Sequence, residues 1–330
     1  MTRLTTTTNW LGQETGQSDK GITTTNWLGQ ETGQSDKGIA TTNWLGQETG
    51  QGDTLAAMTS RWQRMECGSG RLDLSAGGLR LVKGAASAQQ YSNAQIDDYQ
   101  GLPRRRLPWS PPLALTVRAR FSHPGPALDG PCPCDFIYPP AGDGGPILSG
   151  TAGFGFWNDP WAPGRRLPAL PRALWFFYAS PPSNMKLDLR TPGCGWKAAA
   201  IDASRGPALL LAPAAPLAVP LMNLPPLYGR LWPAIQRAVG VNEASIHGDM
   251  TGWRTYRIEW GRRRARFLVD GAPVLDCAAP PRGPLGLVIW LDNQALVVTP
   301  QGRLRHSLLA TSSEQWLELA GVAVEQPGAR

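Results

Sequence analysis

The sequence predicts an all-β protein, a sandwich of two antiparallel sheets with Pro-rich insertions and one short helix. The 330 residues include 38 Gly and 31 Pro, which weaken or break helices and favour turns. A hydrophobic share of 42% and 14 Trp provide a large core of the kind that disordered chains lack. Short apolar or alternating runs between turn residues supply the strands of such a sandwich.

The clearest strands lie in the second half of the chain. In residues 253–260, aromatic and aliphatic side chains alternate with charged ones, which is the period of a half-buried strand. Asp270 and Gly271 stand between apolar runs at 266–269 and 272–275, a pattern typical of a two-residue hairpin turn. The other predicted strands are 79–82, 113–121, 153–157, 173–179, 284–292 and 316–324.

Two insertions rich in Gly and Pro interrupt these strands, at 129–150 and at 206–240. The second insertion ends in GRLWPAIQRAVG, where apolar side chains recur at helical spacing. This spacing predicts the one short helix. The rest of both insertions is expected to form loops.

The first 57 residues differ from the rest of the chain. Residues 6–22 and 23–39 are identical, and 40–53 are a third, partial copy. Each copy is polar and has one Trp-Leu pair as its apolar anchor, too little to offset the entropy of ordering. We expect a disordered tail over 1–57 and the sandwich over 58–330.

Two other interpretations of the repeat stay open. Its tryptophans could be spaced contacts for a ligand, or the start of translation could lie downstream of the repeat. The residues concerned are Trp10, Trp27 and Trp44 for the first interpretation and Met58 or Met65 for the second.

The chain carries a net charge of +7, and its basic residues are mostly Arg. Basicity of this kind is compatible with nucleic acid, an anionic membrane or an acidic polysaccharide. The Arg clusters at 104–106, 165–166 and 262–266 lie in no recognisable nucleic-acid motif. We therefore expect no nucleic-acid partner.

The cysteines and histidines give no metal signature. Cys132 and Cys134 are too close for the usual zinc spacing, and no second pair accompanies them. No leader is visible after a plausible start, and the apolar stretch 208–222 is too short and too interrupted by Pro to span a bilayer. We expect no metal, no cofactor and no membrane partner. The default location is a reducing compartment, the cytoplasm.

Residues 247–274, HGDMTGWRTYRIEWGRRRARFLVDGAPV, resemble the family 16 glycoside hydrolases and the wider concanavalin A-like lectin/glucanase superfamily. The family has a strand of the form W/F-H-x-Y-x-I-E-W, then a turn and a strand that ends in V-D-G. Further segments that resemble family strands follow the same order, so the likeness covers most of 75–325. The resemblance implies a concanavalin A-like jelly roll whose concave face is a sugar cleft.

The resemblance also implies a test for catalysis. The retaining mechanism needs two carboxylates close together, which the family places on one strand as E-x-D-x-E or E-x-D-x-x-E. The matching segment here, 173–180, reads ALWFFYAS and contains no acid. No Glu lies between Glu66 and Glu243. We therefore expect the retaining mechanism to be absent.

The leading hypothesis is a non-catalytic domain that binds a polysaccharide or other glycan. Sugar recognition uses aromatic platforms for ring faces and fixed polar groups for hydroxyls. The candidates come from GFWNDPW, FFYAS and IWLDN: Trp157, Asn158, Asp159, Trp161, Tyr178, Trp290, Asp292 and Asn293.

Two alternatives remain open at this point. A divergent glycoside hydrolase would use displaced acids, for which Asp159, Asp188 and Asp292 are the candidates. A structural scaffold would have no sugar site, and its cleft would be filled by Phe176, Phe177 or the Pro-rich insertion. Two carboxylates about 5–9 Å apart in the cleft would favour the hydrolase.

Overall fold

The computed structural model describes residues 62–75, 78–126, 147–160 and 169–326. The repeat, the predicted boundary near residue 58 and Trp161 lie outside these residues. The strands in chain order are β1 Gln63–Cys67, β2 Gly70–Ser75, β3 Gly78–Lys83, β4 Asn93–Asp97, β5 Leu113–Phe121, β6 Thr151–Trp157, β7 Arg172–Ala179, β8 Gly195–Asp202, β9 Asn242–Ser245, β10 Arg254–Trp260, β11 Arg264–Val269, β12 Ala272–Ala278, β13 Gly286–Asp292, β14 Gln294–Val298, β15 Leu304–Leu308 and β16 Gln315–Glu325.

The strands build two antiparallel sheets of seven strands each, which confirms the predicted sandwich. The front sheet has the order β1-β4-β13-β6-β7-β8-β9, and the back sheet has the order β12-β11-β10-β5-β16-β3-β2. Strands β14 and β15 form a separate hairpin. Strand β13 lies between β4 and β6, so the chain crosses between the sheets rather than winding as a simple meander.

Aromatic side chains fill the space between the two sheets. Alternate residues of a strand point to opposite faces, so β6 and β7 each present a row of rings to the core. Phe154 lies 5.2 Å from Tyr256 and Phe176 lies 5.4 Å from Phe267, measured between ring centroids. All four side chains are buried. This is the core that the alternation in 253–260 predicted.

The predicted hairpin turn is confirmed in its backbone geometry. Asp270 and Gly271 have φ angles of 50° and 81°, and the favoured two-residue hairpin turn requires positive φ at both positions. Asp and Gly tolerate these angles better than other residues do. The turn joins β11 to β12 and sets their pairing next to the turn, where Val269 pairs with Ala272.

The Pro-rich insertion between β8 and β9 is more helical than expected. Its helices are α1 Gly206–Leu211, α2 Ala215–Leu221 and α3 Pro225–Ala238, with a 3-10 turn at Ala212–Ala214. The predicted helix is α3. Each helix has Pro in its first turn, where the missing N–H has no partner to lose. Proline therefore starts these helices instead of preventing them.

Cys194 is disulfide-bonded, whereas Cys67 and Cys277 are free thiols. The partner of Cys194 lies outside the described residues.

Within the described ranges, no helix is long and apolar enough to cross a membrane. The same ranges contain no group of three or more His, Cys, Asp or Glu side chains that could hold a metal ion.

Candidate functional site

The candidate site lies on the front face, which is the surface of the front sheet that points away from the back sheet. Strand β7 is an inner strand, paired with β6 on one side and β8 on the other. Leu174, Phe176 and Tyr178 point from β7 into the core. The intervening positions place Trp175 and Phe177 on the front face. The strand that the resemblance assigns to catalytic acids thus presents aromatic rings.

Four rings from three adjacent strands form a continuous aromatic surface on the front face. Trp175 lies 6.0 Å from Trp157, 5.7 Å from Trp290 and 5.5 Å from Phe177, measured between ring centroids. Phe177 and Trp290 are 5.9 Å apart and are largely buried. Trp157 and Trp175 are only partly buried. The solvent-accessible part of the aromatic surface is therefore centred on these two indoles.

Two glycines on β6 make room for this surface. A Cβ atom at Gly153 would lie 2.8 Å from the Trp290 ring, and one at Gly155 would lie 2.7 Å from the Cβ of Trp175. Contacts below 3.0 Å force a shift of one of the groups. The sequence TAGFGFW of β6 therefore alternates phenylalanines toward the core with glycines beneath the front-face rings.

A row of polar side chains on β4 borders the aromatic surface. Asn93, Gln95 and Asp97 share the front face of β4, and Gln95 pairs directly with Trp290 on β13. Asp97 accepts hydrogen bonds from the side chains of Gln95 (2.8 Å) and Gln100 (2.6 Å) and from two backbone N–H groups. Burial raises the pKa of Asp97. Two of its donors are thus amide side chains at the edge of the site.

Asp292 anchors one end of the front face. Its Oδ1 accepts hydrogen bonds from the Thr151 hydroxyl (2.8 Å) and the Gln294 N–H (3.0 Å). Thr151 Oγ1 in turn accepts a hydrogen bond of 3.0 Å from the Trp290 indole N–H. Burial raises the pKa of Asp292 to about 6, and burial lowers the pKa of the nearby Lys83 to about 8. This network holds the Trp290 ring in place.

A buried ion pair lies at the other side of the aromatic surface, on β8 and β9. Lys197 Nζ is 3.1 Å from Glu243 Oε1 and donates a second hydrogen bond of 3.0 Å to the Met185 carbonyl. Phe177 pairs with Lys197 across β7 and β8. Burial raises the pKa of Glu243, and the Lys197 charge opposes that rise. The pair fixes the segment that carries Met185 against the aromatic surface.

Asn158, which the sequence offered as a sugar contact, instead holds the backbone at the end of β6. Asn158 is buried, donates to the Leu170 carbonyl and accepts from the Arg172 N–H. Arg104, from the predicted basic cluster, donates to the carbonyls of Asn158 and Asp159. Asp159 has a φ of 43°. These contacts fix Asn158 and Asp159 next to the start of β7.

Two further candidates lie away from the aromatic surface. Tyr178 is fully buried in the core, and its hydroxyl donates to the Leu148 carbonyl at 2.6 Å. Asn293 is fully buried, and its Nδ2 donates to three backbone carbonyls. Of the predicted candidates, the structure brings together Trp157, Trp290 and Asp292 on the front face. Sequence reasoning missed Trp175 and the β4 row, and it named Phe177 only as a residue that would fill the cleft of a scaffold.

The three carboxylates proposed for a displaced hydrolase come from separate elements. Asp292 is on β13, and Asp188 lies between β7 and β8, where its Oδ2 accepts a hydrogen bond of 2.6 Å from Gln236 of α3. Asp159 lies in the loop after β6. Asp292 and Asp188 each accept hydrogen bonds from their own surroundings, and the Asp159 carbonyl accepts one from Arg104.

No family model matches this sequence, and no curated protein matches it. Similar solved structures include the Crh5 transglycosylase in complex with NAG, at 10% identity and a TM-score of 0.39 over 83% of this chain and 81% of that chain. Another is Rv0315 of Mycobacterium tuberculosis, described as an immunostimulatory antigen and pseudo β-1,3-glucanase. Its sequence identity is 12% and its TM-score is 0.37, over 76% of this chain and 75% of that chain. A Bacillus licheniformis β-glucanase has 8% identity and a TM-score of 0.39, over 81% of this chain and 92% of that chain. The chain is therefore similar, at low identity, to structures of glucanases and of a transglycosylase.

Proposed function

We propose that the front face binds a polysaccharide without cleaving it. The observation that carries the proposal is the pair of partly exposed indoles, Trp157 and Trp175, at the centre of a sheet face whose inner strand β7 has no acid. Sugar rings have apolar faces that pack on aromatic side chains, and their hydroxyls need fixed polar partners nearby.

The neighbouring residues support this role for Trp175. Across the strands, Trp175 is flanked by Gly155 on β6 and Ala199 on β8. Both are small, so the indole stands above its neighbours on the front face. The amides of Gln95 and Gln100, held by Asp97, lie on the far side of β13. An extended glycan could contact the indoles and this polar row together.

The absence of acids from β7 supports binding over hydrolysis. A retaining hydrolase needs one carboxylate as nucleophile and a second as acid/base, at a separation of about 5 Å. The front-face positions of β7 are Ala173, Trp175, Phe177 and Ala179, which can fill neither role. Aromatic side chains at the positions of the catalytic acids can still contribute to the affinity for a glycan.

A broad glycan array probed with the full chain tests the proposal. Retention of one or more polysaccharides, without release of reducing ends from the same polysaccharides, is the expected result. Release of reducing ends would favour the divergent hydrolase. A chain that is folded by circular dichroism yet retains no glycan would instead support the scaffold.

A further inference from the structure

The helical insertion between β8 and β9 exposes an unusual run of apolar side chains. Residues 207–226 read PALLLAPAAPLAVPLMNLPP and contain no charged residue. Leu210 is 83% exposed and Leu217 is 69% exposed. The five exposed leucines of this insertion, here called the leucine ridge, are Leu209, Leu210, Leu211, Leu217 and Leu224. Exposed leucines concentrated in one segment of the chain indicate a contact with another apolar surface.

The leucine ridge rests on an anchored base. Trp232 of α3 is buried, and its indole N–H donates to the Leu187 carbonyl at 2.9 Å. Asn223 donates to the Gln301 carbonyl at 3.2 Å, which ties the end of α2 to the β14–β15 hairpin. Met222 is buried beside it. The leucines thus point outward from helices that are attached to the body at several places.

The charged residues of the insertion itself are all arginines. No acidic residue occurs between Asp202 and Glu243, and Arg230 and Arg237 of α3 are exposed. The two bordering acids are engaged, Asp202 near Arg205 and Glu243 with Lys197.

The neighbouring hairpin adds to this cationic border. Gly302, at the tip between β14 and β15, lies against Val219 of α2. The residues that follow it are exposed and combine a leucine with two cations: Arg303, Leu304 and Arg305. An apolar ridge with a cationic border matches a surface that is apolar inside and anionic outside.

We propose that the leucine ridge docks on the surface of an anionic lipid bilayer. The leucines would enter the acyl boundary while the arginines stay among the headgroups. A protein partner would require directional polar contacts, since a typical protein interface carries about ten hydrogen bonds. The apolar run offers one polar side chain, Asn223, and that amide is used internally.

This proposal differs from the prediction of no membrane partner, which considered only spanning. A segment that lies in the interface needs neither the length nor the continuous helix of a transmembrane span. The decisive observation is the exposure of the leucines, which the sequence does not reveal. The proposal is independent of glycan binding.

Co-sedimentation of the full chain with sucrose-loaded vesicles tests the proposal. Vesicles of phosphatidylcholine and phosphatidylserine in equal parts are compared with pure phosphatidylcholine. We expect binding to the anionic vesicles, weaker binding to the neutral ones, and a decrease with added salt. Leu217→Glu should lower the partition coefficient by about tenfold.

Leu74→Glu provides the matched control. Leu74 is 67% exposed but lies on β2, at the edge of the back sheet, so its substitution should leave partitioning unchanged. Both variants should keep the melting temperature of the wild type. No sedimentation with anionic vesicles, or equal loss in both variants, would overturn the proposal. So would a dimer in analytical ultracentrifugation that Leu217→Glu dissociates while vesicles capture nothing.

Discussion

Gly155 lies directly opposite Trp175 across β6 and β7, and a side chain at Gly155 would collide with the Cβ of that tryptophan. The φ angle of Gly155 is 150°, which other residues rarely adopt. The central indole of the aromatic surface therefore depends on a residue without a side chain on the neighbouring strand.

Gly155→Ala should destabilise the protein by about 1–3 kcal/mol, because the new methyl group must displace the Trp175 backbone or the Leu174 carbonyl. Urea denaturation followed by tryptophan fluorescence measures this change. Gly229→Ala is the control, since Gly229 lies inside α3 with open space around it. That variant should be neutral or more stable by up to about 1 kcal/mol. Equal effects at both positions would refute the packing argument.

Trp157→Ala should abolish retention of a bound polysaccharide in an affinity gel, and Trp175→Ala should weaken it at least about tenfold. Both substitutions remove part of the exposed aromatic platform. Trp253→Ala is the matched control, because Trp253 contacts Arg118 and Arg120 of the back sheet. Its loss should leave retention unchanged. If all three variants bind as the wild type does, the glycan contacts another surface.

The pKa of Asp292 predicts a pH dependence of stability. Because burial raises this pKa from 3.8 to about 6, the folded state holds a proton that the unfolded state has lost between these values. The free energy of unfolding should therefore fall as the pH rises from about 4 to 6. Asp292→Asn should remove up to about 3 kcal/mol of this decline.

Urea titrations from pH 4 to pH 7 on both proteins measure the difference. Asp276→Asn is the control. Asp276 is exposed, and the guanidinium of Arg264 lowers the pKa of its carboxyl. The Asp276→Asn protein should show the same fall in the free energy of unfolding between about pH 4 and 6 as the wild type. A wild-type curve parallel to that of Asp292→Asn would contradict the prediction.

Lys197→Met should cost about 3–5 kcal/mol at pH 7, because it leaves the buried Glu243 carboxylate without its cation. The loss should shrink at lower pH, since the pKa of Glu243 is already raised by burial and its protonated form needs no partner. The double variant Lys197→Met with Glu243→Leu should recover much of the stability. A double variant as unstable as the single one would show that the pair contributes more than charge compensation.

Cys194 should be found in a disulfide, whereas the thiols of Cys67 and Cys277 should be free. Peptide mapping by mass spectrometry, after alkylation without reductant, should label Cys67 and Cys277 but leave Cys194 unlabelled. Cys194→Ser should then lower stability by about 2–4 kcal/mol. Full labelling of Cys194 would contradict the prediction.

The back sheet could be predicted because its strands alternate. In β10 the buried Tyr256, Ile258 and Trp260 are separated by charged residues, so pattern and burial coincide. Strand β7 is apolar on both faces and has no such alternation. The sequence therefore could not show that Trp175 faces outward while Tyr178 faces the core.

Strand β4 was missed for a different reason. Its sequence NAQID is short, and Asn and Asp are typical of turns rather than strands. Pairing of β4 with β1 and β13 places them in a strand, and Asp97 is satisfied there by the amides of Gln95 and Gln100. The pairing with β13 depends on residues almost 200 positions away, and local propensity does not record it.

The helical insertion leaves and re-enters the front sheet at almost one point, since Ala200 of β8 pairs with Asn242 of β9. A segment with adjoining ends can change in length with little effect on the register of the strands that it joins, because the entropy of closing a loop grows only slowly with its length. The length of the insertion can thus differ without a change in the register of β8 and β9, whereas its contacts with the body through Trp232 and Asn223 depend on the helices themselves.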